Sequence, residues 1–237
     1  MAVGKFSAHL FRVTALLLLM VPVSGCAQHE QSVRPGVNKE FEGEVKVEEW
    51  VARFEGESRE IYSHRDAIIA AMELKSGMSV ADIGAGTGFF TMMFADRVGP
   101  SGAVYAVDIA DEFVRHIEEG ARQRNLKNIH PVLCKTDSVE LPAKSVDVAF
   151  ICDTYHHFEF PKSTTKSLRN AMRPGGVVYV IDFIRIEGKS RDWILEHVRA
   201  GEEVFAEEIE SVGFKREPLN ADTPFLKENY MLKFRRN

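Results

Sequence analysis

The sequence predicts an α/β protein: a doubly wound, mostly parallel sheet of about seven strands, with lead-in helices before it and an antiparallel hairpin at its C-terminal edge. Three observations carry this expectation. Short apolar runs alternate with amphipathic stretches over 79–184, the pattern of parallel strands joined by helices and covered on both faces. A glycine-rich turn, Gly84-Ala85-Gly86-Thr87-Gly88, falls where the first run ends and the first amphipathic stretch begins. Gly-Pro-Ser-Gly at 99–102 and Pro-Gly-Gly at 174–176 punctuate the pattern where helices must stop.

Taken in order, apolar residues at helical spacing predict helices over 47–54 and 61–74, separated by the charged stretch 55–60. Strands follow at 79–83, 104–109, 129–134, 146–152 and 177–184, with helices at 89–98, 111–126 and 162–172 between them. A helical stretch over 190–213 then leads to two strand-like runs, 214–218 and 230–234. The chain has 237 residues, 45% hydrophobic and 27% charged, which excludes disorder and suits a single core of about 200 residues. A formal charge of -5 argues against nucleic-acid binding, which rests on clustered Lys and Arg. The basic tail Lys233, Arg235 and Arg236 reads as a solvated strand edge.

The first 25 residues read as an address. Lys5 and Arg12 precede an apolar run over 13–23, too short to span a bilayer. It ends in Val23-Ser24-Gly25-Cys26, which resembles the lipobox of bacterial lipoproteins. That resemblance implies cleavage before Cys26, lipidation of its thiol, and a protein held in the cell envelope, at the outer membrane where there are two membranes. A start near Met20 or later would instead leave a cytoplasmic protein. Residues 26–45 are polar, with Pro35 and Gly36, and read as a tether to a domain spanning 46–237.

The glycine turn carries the chemistry. Glycines at alternate positions between a strand and a helix permit positive φ and let a ligand lie against the backbone. A phosphate-binding P-loop needs Lys and Ser or Thr after its last Gly, and Phe89-Phe90 stand there. A dinucleotide fingerprint needs Gly or Ala at 89 and carries no acid inside the strand, where this chain has Asp82. A buried carboxylate needs partners, so an ammonium or amide donors are expected beside Asp82. Asp108 ends the next strand twenty residues beyond Gly88, the separation of an acid that accepts ribose hydroxyls.

Together these residues resemble the class I S-adenosylmethionine-dependent methyltransferases, Rossmann-like enzymes, over about 46–237. The resemblance implies S-adenosyl-L-methionine as cofactor, its methionine and ribose cradled by Asp82, Gly84, Ala85, Gly86 and Gly88, and its ribose held by Asp108 beside Ile109. It implies adenine contacts at Asp137 and Ser138, and contact of Asp153 with the methionine part or the substrate. Met172-Arg173-Pro174-Gly175-Gly176 matches the turn before the fifth strand. The family's strand order puts Cys134 and Cys152 three strand spacings apart, so both are expected as free thiols.

Methyl transfer is a direct displacement that asks the protein to align and desolvate the reactants. Asp153-Thr154-Tyr155-His156-His157-Phe158 faces the expected methyl position, with His156 or His157 as candidate general base beside Asp153 and with Tyr155 toward the acceptor. Tyr62, Arg65, Trp193, His197 and Arg199 lie on segments that the resemblance places over the cleft; Tyr62 and His197 are the acceptor candidates. Adjacent histidines diverge on extended backbone, so no metal is expected. The acceptor is expected to be a small molecule or an envelope component, with no nucleic acid. The competing readings are an NAD-dependent oxidoreductase and a noncatalytic cofactor-binding lipoprotein.

Overall fold

The computed structural model describes residues 1–4, 29–219, 223 and 225–237; the apolar leader and Cys26 lie outside the described residues. Seven strands form one sheet: β1 (Ser79–Ile83), β2 (Ala103–Asp108), β3 (Ile129–Leu133), β4 (Val146–Cys152), β5 (Met172–Phe183), β6 (Phe214–Glu217) and β7 (Asn229–Arg236). Their order is β3-β2-β1-β4-β5-β7-β6. The first five are parallel, and β7 runs antiparallel to both β5 and β6. The expected doubly wound sheet with an antiparallel C-terminal pair is therefore the observed one.

Helices α1 (Val47–Phe54), α2 (Glu60–Ser63), α3 (Arg65–Ala71), α4 (Phe89–Val98), α5 (Asp111–Gln123), α6 (Pro161–Ala171), α7 (Asp192–His197) and α8 (Glu202–Ser211) cover the two faces. Successive residues of β1 alternate between layers: Val80 packs with Ile68, Phe94 and Ile117, while Ala81 and Ile83 pack with Leu168, Ile194 and Phe205. The order in which strands are added reverses between β1 and β4, which run parallel, so a crevice opens at the carboxyl ends of the parallel strands.

Four features depart from the sequence reading. The helix expected over 61–74 is two, broken at His64, and that expected over 190–213 is two, parted by the extended Val198. The fifth strand starts early and irregularly: Met172 faces Val146, and the register then jumps so that Val177 faces Val148. The basic tail lies in β7, inside the sheet, with Lys233 buried and Arg235 donating to Glu217 at 2.7 Å.

The stretch read as a tether is docked from residue 29 onward. Glu30 accepts from the free backbone amides of Lys162 and Ser163 at the start of α6, at 3.0 and 2.6 Å. The Val33 amide donates to the Glu159 carbonyl at 3.0 Å, Arg34 donates to the Glu196 and His197 carbonyls, and Asn38 donates to the His157 carbonyl. Hydrogen bonds to distant backbone hold this strap, which is why its polar composition resembled a linker.

Cys134 and Cys152 are free, with β2 and β1 between their strands. Burial pushes both thiols up, Cys134 to about 12, so neither is a nucleophile at neutral pH.

Candidate active site

A cavity of about 620 Å³ lies over the carboxyl ends of β1, β2 and β4. The glycine turn forms its floor. Gly84 has φ +70° and its amide donates to the Val107 carbonyl at 2.8 Å, so the turn is stitched to β2. Gly88, at φ +78°, caps α4 and packs against Ile117 instead of lining the cavity.

Two buried acids flank this turn. The Gly86 and Ala110 amides donate to the two carboxylate oxygens of Asp108, at 2.8 and 2.9 Å, leaving a lone pair on each. Burial raises the Asp108 pKa, and the amides of Ala110, Gly86 and Ile109 oppose it. Asp82 accepts the Thr91 hydroxyl at 2.6 Å. Burial outweighs that bond and pushes Asp82 up to about 7, with Asp108 adding repulsion. The donor expected beside Asp82 is thus Thr91, through hydroxyl and backbone; the described partners of both acids include no cation.

Asp153 follows β4 in the left-handed region, at φ +49°. Arg59 Nη2 reaches one of its oxygens at 2.6 Å and Asn229 Nδ2 the other at 2.6 Å. Burial raises its pKa and Arg59 opposes that rise. Glu60, next in the chain, accepts the backbone amides of Lys227, Glu228 and Asn229, fixing the start of α2 against the start of β7. Arg59→Ala is therefore expected to cost about 3 kcal/mol at pH 8, because it strands a buried carboxylate, and less at pH 5, since burial raises the Asp153 pKa and falling pH favours its uncharged form. Urea unfolding at the two pH values checks this; equal losses would contradict it.

Phe41, Trp50, Phe54 and Phe113 wall the cavity, with Trp50 at 5.1 Å from Phe41 and 5.0 Å from Phe54, centroid to centroid. Arg59 lies 4.9 Å over the Phe54 ring. Three histidines adjoin this wall, His157 with its ring 5.5 Å from Phe41. His156 and His157 occupy a 3₁₀ turn, Tyr155–His157, and His197 ends α7. His156 is held by Asp182, through its Nδ1 at 2.8 Å and its backbone amide at 3.1 Å. Burial and the neighbouring imidazoles depress His157 to about 2 and His197 to about 4, too low for an effective general base at neutral pH.

Of the residues singled out from the sequence, Asp82, Gly84, Ala85, Gly86, Asp108, Ile109, Asp153, His156, His157 and His197 all line this cavity. Asp137 and Ser138 do not: Asp137 is exposed and Ser138 bridges back to Lys135, so Lys135 and Thr136 line the cavity in their place. Tyr155 points into the core, its ring against Phe158 and Phe205 and its hydroxyl 3.4 Å from Thr165, which removes it from contact with an acceptor. Tyr62 packs on Phe89 beneath Arg65, outside the cavity. Arg199 is engaged by Glu208 at 2.6 and 2.9 Å. The sequence reading missed Arg59, Asn229, the aromatic wall and Asp182.

This strand order, with an acid and a glycine turn at the end of β1 and a second acid at the end of β2, defines a class I S-adenosylmethionine-dependent methyltransferase domain. The chain belongs to the family described as a methyltransferase domain, whose model matches residues 74–231. It is 28% identical over 119 residues to a ubiquinone/menaquinone biosynthesis C-methyltransferase of Burkholderia cenocepacia, and equally so to that of Burkholderia ambifaria. Each match covers 50% of this chain and 48% of the relative, so the chain spans about half the length of the curated relatives it matches. Among solved structures, a SAM-dependent methyltransferase from Aquifex aeolicus superposes with a TM-score of 0.67 at 23% identity, over 81% of this chain and 99% of that one. The [4+2]-cyclase SpnF shares the fold at a TM-score of 0.60 and 16% identity, over 72% of this chain and 78% of its own.

Proposed function

We propose that the protein is an S-adenosylmethionine-dependent methyltransferase acting on a small-molecule or envelope-associated acceptor. The observation that carries this is the pair of buried acids, Asp82 and Asp108, around a glycine turn whose Gly84, Ala85 and Gly86 line the cavity. Asp108 keeps a lone pair on each oxygen for the ribose hydroxyls. Asp82 has no cationic partner among the described residues and suits a positively charged ligand. The Gly84–Gly86 backbone would border the methionine and ribose part, and Lys135 and Thr136, which line the cavity where Asp137 does not, would meet the adenine. When bound, the cofactor supplies an electrophilic methyl group on a sulfonium.

The chain's own residues do the rest. Arg59 and Asn229 hold Asp153 at the mouth of β4, where it faces the methionine part or the acceptor. The aromatic wall excludes water from the reacting atoms. His156, His157 and His197 surround the acceptor side and orient it. The family match favours this reading over an NAD-dependent oxidoreductase. Calorimetry is expected to show saturable binding of S-adenosylmethionine and of its demethylated product, and a fluorescence titration with NADH no response. The opposite pattern would overturn the reading.

The address is part of the proposal: lipidation at Cys26 and attachment to the cell envelope. Glu30 is already docked on α6, so at most about 14 Å of extended chain separates the lipidated residue from the domain. The domain then sits against the bilayer surface. Labelled palmitate that fails to enter the protein, with the Cys26→Ser variant fractionating like wild type, would reject this.

A further inference from the structure

The geometry points to a transition-metal site formed by His156, His157 and His197, with coordination positions left open toward the cavity. One ring nitrogen from each lies within 4.8 Å of the other two. His157 Nε2 and His197 Nε2 are 3.2 Å apart. Imidazoles bound to one ion at about 2.0–2.1 Å place their nitrogens roughly 3.0–3.5 Å apart, so this pair already has the right spacing and small ring rotations bring in the third. Neighbouring histidines were expected to diverge; the 3₁₀ turn gathers them instead, with ring centroids 4.4 Å apart.

Asp182 supplies the supporting contact that such sites use. Its carboxylate accepts a hydrogen bond from Nδ1–H of His156 at 2.8 Å, the tautomer that leaves Nε2 as the metal-binding nitrogen. Asp182 is fully buried in β5 and also receives the His156 amide, so ring and backbone are positioned together. Phe41, Phe183 and Trp193 enclose the rings at centroid distances of 5.5, 5.8 and 6.2 Å, and an apolar shell strengthens metal–ligand bonds. Arg34 and Arg53 repel a divalent ion at the His197 side, and Asp182 and Asp153 attract it from the other. Three imidazole nitrogen donors suit zinc, iron, nickel or cobalt and not magnesium or calcium, which take oxygen ligands. All three rings line the cavity, so the open positions face it and are available to an anionic oxygen or sulfur of an acceptor.

The test uses the full chain in detergent, stripped with a chelator and titrated with Co²⁺, then with Zn²⁺ against a chromogenic competitor. One equivalent of Co²⁺ is expected to give visible d–d bands that Zn²⁺ abolishes. His157→Ala and His197→Ala are each expected to weaken Zn²⁺ binding about 100-fold, and Asp182→Asn about 10–100-fold. The exposed His130→Ala is expected to leave it unchanged. Asp182 is buried and its variant can unfold, so the half-buried His197 provides the decisive comparison, at matched circular dichroism. A Co²⁺ spectrum identical to the aqueous ion, or equal Zn²⁺ affinity in wild type and His197→Ala, overturns the site. The readout involves no methyl transfer, so its failure leaves the methyltransferase reading standing.

Discussion

Asp82→Asn is expected to make the cofactor-free protein more stable at pH 8 while crippling its binding of S-adenosylmethionine. Asp82 has its pKa pushed up from 3.8 to about 7 by burial. The folded state therefore binds a proton that the unfolded state has released, and stability falls as pH rises from about 4 to about 7. Above that window the carboxylate is charged in both states, and the folded protein carries a penalty on the order of 4 kcal/mol, an upper bound. Asparagine is neutral throughout and keeps an oxygen for the Thr91 hydroxyl, so the variant gains at pH 8 and is near wild type at pH 4. For a domain of this size, at about 2–4 °C per kcal/mol, that bound corresponds to a gain at pH 8 of at most roughly 8–16 °C in melting temperature. Cofactor affinity should move the other way: in wild type it rises from pH 6 to pH 8 as Asp82 ionises toward a cationic ligand, and in Asp82→Asn it is low and flat. Thermal melts and calorimetry across that range measure both. A variant destabilised at pH 8, or one that binds like wild type, would remove Asp82 from the site.

That trade explains why the site was legible at all. A carboxylate inside an apolar strand costs stability, so Asp82 stood out against its neighbours, and the glycines after it marked a turn few side chains can occupy. The strand alternation was equally plain, because parallel strands covered on both faces read as apolar runs. Asp182, within Val-Ile-Asp-Phe of β5, carried the same signal as Asp82 and passed unread, although it anchors His156. Arg59 hid in a charged stretch that marked only a break between helices; its pairing with Asp153 spans 94 positions, which no local pattern encodes. Whether neighbouring histidines converge depends on the backbone turn between them, and so does the inward rotation of Tyr155; both follow from a 3₁₀ turn that residue types alone did not specify. The docked strap failed to show for a related reason, since it is held by hydrogen bonds to residues more than a hundred positions away.

Gly84→Ala is expected to be strongly destabilising and to weaken cofactor binding. At φ +70° an L side chain is strained by about 1–2 kcal/mol. The added Cβ would also stand 2.6 Å from Thr154 Oγ1 and 2.9 Å from Thr154 Cβ, closer than real Cβ contacts come. Thr154 has little room to yield, because its hydroxyl donates to the Cys152 carbonyl at 2.9 Å and Asp153 beside it is held by Arg59 and Asn229. Overpacking of this kind costs about 1–3 kcal/mol more, giving a total loss of about 2–5 kcal/mol in urea unfolding. Displacing the loop to relieve the clash would break its bonds to the Val107 carbonyl and carry the Gly86 amide away from Asp108, so cofactor affinity should fall along with stability. The double variant Gly84→Ala, Thr154→Gly separates the two causes: it removes the clash and leaves the left-handed strain, so it should recover the overpacking share and retain a deficit of about 1–2 kcal/mol. A single variant as stable as wild type would mean that β1 and β4 do not approach each other as closely as Gly84 and Thr154 require, and the floor of the cavity would then lose its shape with them.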